Sequence, residues 1–519
     1  MRDALRFIQK RLCRKVDGAT LGLFRLLWGG LMFAEAISRF EKVTGVYSPE
    51  YFHFSYPLTT WVSGFPAHWM VALEIGVLCV AALGVLLGVC FRWATVLFGL
   101  IYLHLFLIDT VYYNNHFYLT ILISFLLAFT RADRTFSVGS FRSRDAEGYA
   151  PPRTAPMWNY VLIRGQFFVL YLWGGIAKLN SDWLRGEPLR YWFSMKDQIS
   201  PPVSWIVKEE WFVWFTAYGG IMIDLVVPFG LLFARSRPFA VVAIVGFHLF
   251  NMQLFNIGFF PWIGIATLTI FARPSMGRWA WAKLQHLVAG MERVRYPAPR
   301  RGEGWSRRNR RAASLVLAYL VIQAALPVRA YLPGNDPAWT EVAHKFSWRM
   351  MLRNKDSYIK FLFDRPEAET WIEEHPDERP LLATEHVEKM ADHPWMILQY
   401  ARELDRVLTE HGMPNTSISV LSVVSLNDRE FQVMIDPTVD LTEIEYPLLG
   451  IPDWVVPLRA KPLGPDRPNT APERIEAIRE ALVEYASNPS SGITEEEILL
   501  HFNGGQTPRE KRDSLIIAD

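Results

Sequence analysis

Residues 158–178 read WNYVLIRGQFFVLYLWGGIAK, a run in which Arg164 is the one charged side chain before the final lysine. An α-helix needs about 17–25 predominantly apolar residues to cross the hydrocarbon of a bilayer. The run has this length and composition, so we predict that it spans a membrane. It ends with two glycines and a lysine, Gly174, Gly175 and Lys178.

Similar apolar runs recur before position 331, whereas the sequence after it is charged and punctuated by proline. The 519 residues are 51% hydrophobic and 14% aromatic, which is more apolar surface than a soluble chain needs. We therefore predict a multi-pass α-helical membrane domain over 1–331 with about nine spans. The candidates are 19–38, 69–91, 93–109, 117–130, 158–178, 211–233, 238–256, 258–273 and 312–331.

Lysine and arginine in the connecting segments predict the orientation of these spans. They are concentrated in the first 15 residues, in 131–153 and in 273–311. Short basic segments stay on the cytoplasmic side, and nine crossings then place the remainder of the chain outside. The first apolar run lacks a small-residue cleavage site, so we interpret it as a span rather than a signal peptide.

The polar part of the chain is predicted to be a mainly β extramembrane domain with helices, over 332–460. Segments 358–363, 418–426 and 431–435 are rich in β-branched and apolar residues, and Asn427 with Asp428 forms a turn signal between the last two. A helix is predicted to begin near Pro394 and to end at Gly412. Residues 461–519 are expected to be a polar tail with one amphipathic helix near 472–486.

Several function classes lack support in the sequence. A net charge of +2 gives no general attraction to nucleic acid, and the basic linker 273–311 is explained by topology and anionic lipid. We find no phosphate-binding glycine loop, no dinucleotide fingerprint and no His-Glu-x-x-His or Cys-x-x-Cys motif. Neither a nucleotide nor a metal is therefore expected.

Polar residues inside or beside the apolar spans are the candidate functional groups, because burying them in a membrane is costly. Three groups approach the outer leaflet on the predicted topology, which suggests one shared pocket. They are Tyr113, Asn115 and His116 after the third span, Lys178 at the end of the fifth, and His248 with Asn251 in the seventh.

Each candidate also has a simpler interpretation. Lys178 could extend its ammonium to the membrane interface, and the two histidines could be hydrogen-bonded structural groups. If Lys178 is enclosed instead, burial favours its neutral amine, which could act as a base towards a phenol-like substrate.

A series of motifs in fixed order runs through most of the chain, and such a series is more specific than any single motif. The motifs lie around His116 and at 158–160, 164–166, 175–183, 254–260, 346–350, 426–429 and 436–437. The series resembles the vitamin K-dependent gamma-carboxylase family, whose membrane part is called the HTTM domain.

This resemblance implies a reaction. The family couples oxidation of vitamin K hydroquinone to its epoxide with carboxylation of glutamate to gamma-carboxyglutamate. The cofactor would be of the phylloquinone or menaquinone type, with dioxygen and carbon dioxide as co-substrates. Expected partners are the lipid bilayer, a glutamate-containing peptide or protein and a quinone reductase.

The resemblance also implies roles for individual residues. Lys178 matches the lysine thought to deprotonate the hydroquinone, and His116 matches a catalytic histidine. Asn115, His248, Asn251 and Tyr113 are expected to bind the cofactor, while Trp348, Arg349 and Arg429 are expected to bind the glutamate substrate. One departure is Ala330, which stands where animal members have a histidine.

Two alternatives remain open from the sequence. The chain could epoxidise the quinol without carboxylating glutamate, or it could be a membrane transporter that uses its buried lysine and histidines. A bacterial inner-membrane location is expected, with the N-terminus cytoplasmic and the C-terminal domain periplasmic.

Overall fold

The computed structural model describes residues 2–142, 154–194, 203–255, 257–289, 304–332, 334–375, 378, 380–447 and 450–462. Its first part is helical, as the apolar runs predict. The α-helices there are Arg2–Cys13, Ala19–Ser38, His68–Leu87, Phe91–Ile108, Asn115–Phe129, Val138–Arg142, Met157–Ala177, Ser181–Leu184, Leu189–Ser194, Val203–Val207, Glu210–Leu225, Val227–Leu232, Arg237–Leu254, Phe260–Leu268, Pro274–Ala289 and Arg307–Ala325.

Seven helical segments among the described residues are long and apolar enough to cross a membrane. They are Ala19–Lys42, His68–Leu87, Phe91–Ile108, Met157–Ala177, Glu210–Leu232, Arg237–Leu254 and Arg307–Tyr331. The predicted count of nine is not confirmed, because Asn115–Phe129 and Phe260–Phe271 are shorter apolar segments. At about 1.5 Å per residue, helices of this length fall short of a hydrocarbon core of about 30 Å.

The membrane helices pack around one large apolar core. Ala19–Ser38 packs against His68–Leu87, and Phe91–Ile108 packs against both His68–Leu87 and Asn115–Phe129. Ala19–Ser38 also contacts Phe260–Leu268, and Met157–Ala177 contacts Glu210–Leu225 and Arg307–Ala325. A short antiparallel pair of strands, Lys15–Asp17 and Thr154–Pro156, joins the chain before Ala19–Ser38 to the chain before Met157–Ala177.

We call the predicted extramembrane domain, residues 332–460, the outer domain. It is built on a three-stranded antiparallel sheet, in the order Lys355–Phe363, Ile418–Leu426, Gln432–Val433. Lys355 pairs with Leu426 at one end of the first ladder and Phe363 pairs with Ile418 at the other. The predicted turn between the last two strands is confirmed: Asn427 and Asp428 both have positive φ, the conformation that tight hairpins require.

The description of this domain as mainly β is wrong for the residues described. Three helices, Pro366–Glu374, Thr384–Met390 and Pro394–Glu410, accompany the small sheet. The longest was predicted from its buried stripe, which includes Leu398, Leu404 and Leu408. The other two are short and strongly charged, so they lack the repeated apolar spacing that identifies a helix. The predicted helix near 472–486 lies outside the described residues.

Candidate active site

A cavity of about 350 Å³ lies where the membrane helices meet the outer domain. Four of the predicted residues line it, namely Asn115, His116, Lys178 and Asn251. They come from three separate helical segments, so the structure brings together groups that are far apart in the sequence. Most of the remaining lining is apolar and includes Leu170, Trp183, Leu189, Phe247, Phe255, Phe260, Met350 and Met351.

Lys178 follows the last residue of the Met157–Ala177 helix and turns into this cavity. It is only 6% exposed, so it is enclosed rather than extended to the membrane surface. Its Nζ lies 2.7 Å from Oδ2 of Asp224 and 3.4 Å from the carbonyl oxygen of Gly174. The ammonium also lies 5.2 Å from the centre of the Trp183 ring. Lys178 is therefore one half of a buried ion pair at the cavity wall.

Asp224 is the residue that our reasoning from the sequence missed. It lies near the end of the Glu210–Leu225 helix, is 3% exposed and lines the same cavity. The signal was present, because a carboxylate within the apolar run GGIMIDLVV is as costly to bury as a lysine. Applying the same rule to acidic residues would have identified it.

The two glycines before Lys178 explain how the ion pair forms. A Cβ atom on Gly175 would lie 2.5 Å from Cδ2 of Leu225 and 3.1 Å from Cβ of Asp224. A side chain at this position would push the two helices apart. Gly175 therefore allows the close approach that brings Asp224 within reach of Lys178.

His116 and Asn115 also line the cavity, at the start of the Asn115–Phe129 helix. The His116 ring packs against the rings of Phe117 and Phe260, with centroids 4.4 and 6.1 Å away. Asn115 is held by two hydrogen bonds: its Oδ1 accepts from the Tyr113 hydroxyl at 3.1 Å, and its Nδ2 donates to the Arg349 carbonyl oxygen at 3.0 Å. The Asn115 amide therefore has a fixed orientation.

Tyr113 and His248 are not among the lining residues but contact groups that are. The Tyr113 hydroxyl accepts a hydrogen bond from the Phe346 backbone N–H at 2.6 Å while it donates to Asn115. The ring of His248 is fully buried, and its Nε2 lies 3.0 Å from the hydroxyl of Tyr171, which does line the cavity. Both residues can orient a lining side chain.

The three predicted substrate-binding residues lie outside the set that lines the cavity. Trp348 is 1% exposed and stacks on the ring of Tyr118 at 4.9 Å. Arg349 is buried with its guanidinium over the Tyr331 ring, and burial lowers its pKa. Arg429 donates to Oδ1 of Asp182 at 2.5 Å. Their assignment to the glutamate substrate stays a prediction.

Comparison with known proteins assigns both parts of the chain. The model of the HTTM domain matches residues 13–276, about half of the sequence. The model described as vitamin K-dependent gamma-carboxylase, lumenal domain, matches residues 308–461. No solved structure matches the chain. The two models follow one another in a single sequence and together include every residue of the cavity, which confirms the predicted resemblance: the chain belongs to the vitamin K-dependent gamma-carboxylase family.

Proposed function

We propose that this protein is a vitamin K-dependent gamma-glutamyl carboxylase, which couples oxidation of vitamin K hydroquinone to carboxylation of glutamate. The observation that carries the proposal is the enclosed pair of Lys178 and Asp224 in an apolar cavity of a chain from this family. Apolar walls with a few fixed polar groups are typical of sites for flat, lipid-soluble molecules. The bound hydroquinone would supply the reducing equivalents and, with dioxygen, the strong base that the carboxylation requires.

Lys178 is proposed to take the proton of a hydroquinone hydroxyl. An ammonium cannot do so until it has lost a proton, and Asp224 lies 2.7 Å away to receive it. Transfer of this proton from Lys178 to Asp224 replaces two buried charges by two neutral groups. Surroundings of low dielectric constant favour neutral groups over charged ones. Lys178 then presents a neutral amine to the cavity, as the family resemblance implies.

Asn115 and His116 are proposed to position the reacting oxygen atoms opposite the amine. One N–H of the Asn115 amide is taken by the Arg349 carbonyl, so the second N–H is available to a ligand oxygen. The aromatic walls exclude water, which would otherwise quench a strong base. Tyr113 and His248 would keep the lining side chains in place through Asn115 and Tyr171.

The glutamate substrate is proposed to reach the cavity along the outer domain, which contributes Met350 and Met351 to the lining. A second cavity of about 340 Å³ has Arg329, Lys345 and Phe346 in its lining, together with Glu341, whose carboxylate is paired with Lys355. Burial lowers the pKa of Lys345 to about 7, so near neutral pH a large fraction of it carries a charge. These cations are better placed for a carboxylate than Arg429, which is already paired.

The proposal is tested by incubating the detergent-purified protein with reduced vitamin K, dioxygen, labelled bicarbonate and a short glutamate-containing peptide. Epoxide and fixed label are measured in the same reaction, and we expect both. Epoxide without label, repeated with several peptides, would support the alternative of an epoxidase that lacks carboxylation. Neither product from folded protein would contradict both enzymatic functions and favour a transporter.

A further inference from the structure

Three side chains of the kind that bind metals meet on the outer side of the membrane helices, away from the proposed active site. His53 lies in the loop between the first two long helices, Asp109 follows Phe91–Ile108, and His386 lies in the outer-domain helix Thr384–Met390. Oδ2 of Asp109 lies 2.9 Å from Nδ1 of His53 and 2.7 Å from Nε2 of His386. Two imidazoles therefore converge on one carboxylate oxygen.

The hydrogen bonding of His53 indicates that a positive charge, either a proton on Nδ1 or a metal ion, lies between these groups. Its Nε2 lies 2.9 Å from the carbonyl oxygen of Ser48, which can only accept, so this nitrogen carries the hydrogen. In a neutral imidazole, Nδ1 then directs a lone pair at the carboxylate of Asp109. Such a contact is repulsive unless a positive charge lies between the two atoms.

One cationic side chain comes close without pairing with the carboxylate: Nζ of Lys345 donates a hydrogen bond to the carbonyl oxygen of Thr110 at 3.3 Å. Among the described residues, no lysine or arginine nitrogen forms an ion pair with Asp109, whose side chain is 2% exposed. The His386 side chain is fully buried, with the rings of Tyr51, Phe54 and Tyr112 around it at 5.9, 6.0 and 5.7 Å. His53 is 15% exposed, which leaves a route from solvent.

A second cluster, with two carboxylates and one histidine, provides a contrast: Glu341 with Asp392 and His393. There, Nζ of Lys355 lies 2.7 Å from Oε1 of Glu341, and Arg353 pairs with the same oxygen. The Glu341 carboxylate is therefore already neutralised by cationic side chains. A divalent ion has a reason to bind at Asp109 and none at Glu341.

We propose that His53, Asp109 and His386 bind one divalent transition metal ion of the zinc class. Their ligand atoms all lie within 4.8 Å of one another, and two imidazoles with one carboxylate are a ligand set that zinc and related ions take. A metal-binding histidine usually donates its other ring N–H to a carbonyl or carboxylate, which fixes the orientation of the ring. The hydrogen bond from His53 to the Ser48 carbonyl would serve this purpose. No sequence motif indicates the site, because its three ligands are far apart in the chain.

The metal ion would have a structural role rather than a catalytic one. Asp109 begins the segment that leads through the turn Thr110–Tyr112 to Asn115 and His116. A metal ion would fix this segment to His386 in the outer domain. It would thus hold one wall of the proposed active site against the domain that is expected to receive the substrate.

The test is metal analysis of the full-length protein, purified in detergent through a tag that contains no histidine. The protein is stripped with a chelator, incubated with Zn²⁺ and freed of excess ion before elemental analysis by mass spectrometry. We expect about one zinc per chain in the wild type, since the three ligands form a single site. Asp109→Asn, which keeps the size of the side chain, and His386→Ala should both lose the zinc. The matched control His393→Ala should retain it.

Thermal unfolding provides a second readout that does not depend on activity. Zn²⁺ should raise the melting temperature of the wild type and of His393→Ala, and EDTA should reverse the rise, whereas Asp109→Asn should not respond. If one of the two ligand variants does not fold, the zinc content of the other decides the question. Absence of bound zinc in the wild type, or equal zinc in folded Asp109→Asn, would overturn the proposal and leave a second proton on His53 as the balancing charge.

Discussion

Lys178 and Asp224 depend on each other, because each would leave an uncompensated charge if the other were removed. Both side chains are almost inaccessible to solvent. The lysine could be predicted as a functional group because it ends an apolar run, where a charge is costly to bury. The aspartate lies in another apolar run, so the same cost identifies it. The pairing itself could not be predicted, because two residues 46 positions apart carry no mark of their contact in a single sequence.

Asp224→Asn should therefore destabilise the protein and slow the proposed reaction. Removing one partner of a buried ion pair costs about 3–5 kcal/mol, because the remaining charge has lost its compensation. Adding Lys178→Met should restore much of the lost stability but none of the activity. Thermal and chemical unfolding in detergent, with epoxide formation measured in parallel, would check this. Additive losses of stability in the double variant would show that the pair does not interact as described.

At the scale of elements, the apolar runs predicted the helices well because their composition reflects the solvent around them. The hairpin strand Ile418–Leu426 and its turn were also predictable, since turn chemistry is local. The short helices Pro366–Glu374 and Thr384–Met390 were missed because contacts with the rest of the outer domain stabilise them, and propensity alone does not. The distance between two helices is set by single residues such as Gly175.

Gly175→Ala should separate the Met157–Ala177 and Glu210–Leu225 helices. The new methyl group would overlap Leu225 and press on Asp224, and overpacking of this kind costs about 1–3 kcal/mol. We expect a lower melting temperature and a reduced rate of epoxide formation. The control is Gly219→Ala in the second helix, where a Cβ atom would meet no atom within 4 Å. Equal behaviour of the two variants would contradict the close approach at Gly175.

For the whole molecule, the junction of the two parts is held by residues far apart in sequence. Asp182, just after the membrane helix, accepts from Arg429 at 2.5 Å and from Asn427 at 3.0 Å in the outer-domain hairpin. Arg429 was predicted to bind substrate because it belongs to a family motif, and the structure offers a second reason for an arginine there. Motif membership does not distinguish a group that binds a ligand from one that joins two domains.

The number of crossings bears on the orientation of the whole chain. Among the described residues, nine segments cross if both short apolar helices do, and the seven long helices cross if neither does. Both numbers are odd, so either places the N-terminus and the outer domain on opposite sides. The predicted orientation, with the outer domain away from the cytoplasm, therefore does not require nine spans.

Labelling of single cysteines tests this orientation. We expect that a membrane-impermeant maleimide added to intact cells will label Glu410→Cys in the outer domain, where the wild-type side chain is 57% exposed. Cys90, which is exposed before the Phe91–Ile108 helix, should react only after the cells are opened. Labelling of both positions in intact cells would contradict an odd number of crossings between them.

The central claim is that the cavity around Lys178 is where the vitamin K hydroquinone reacts, and the rate of epoxide formation in Lys178→Ala tests it most directly. Loss of a general base lowers a rate by about 10²–10⁴-fold, so we expect epoxide formation to fall by that factor or to disappear. Lys283→Ala, which removes an exposed lysine that is not part of the cavity lining, should keep the wild-type rate. Epoxide formation at the wild-type rate in folded Lys178→Ala would contradict the assignment of this cavity as the active site.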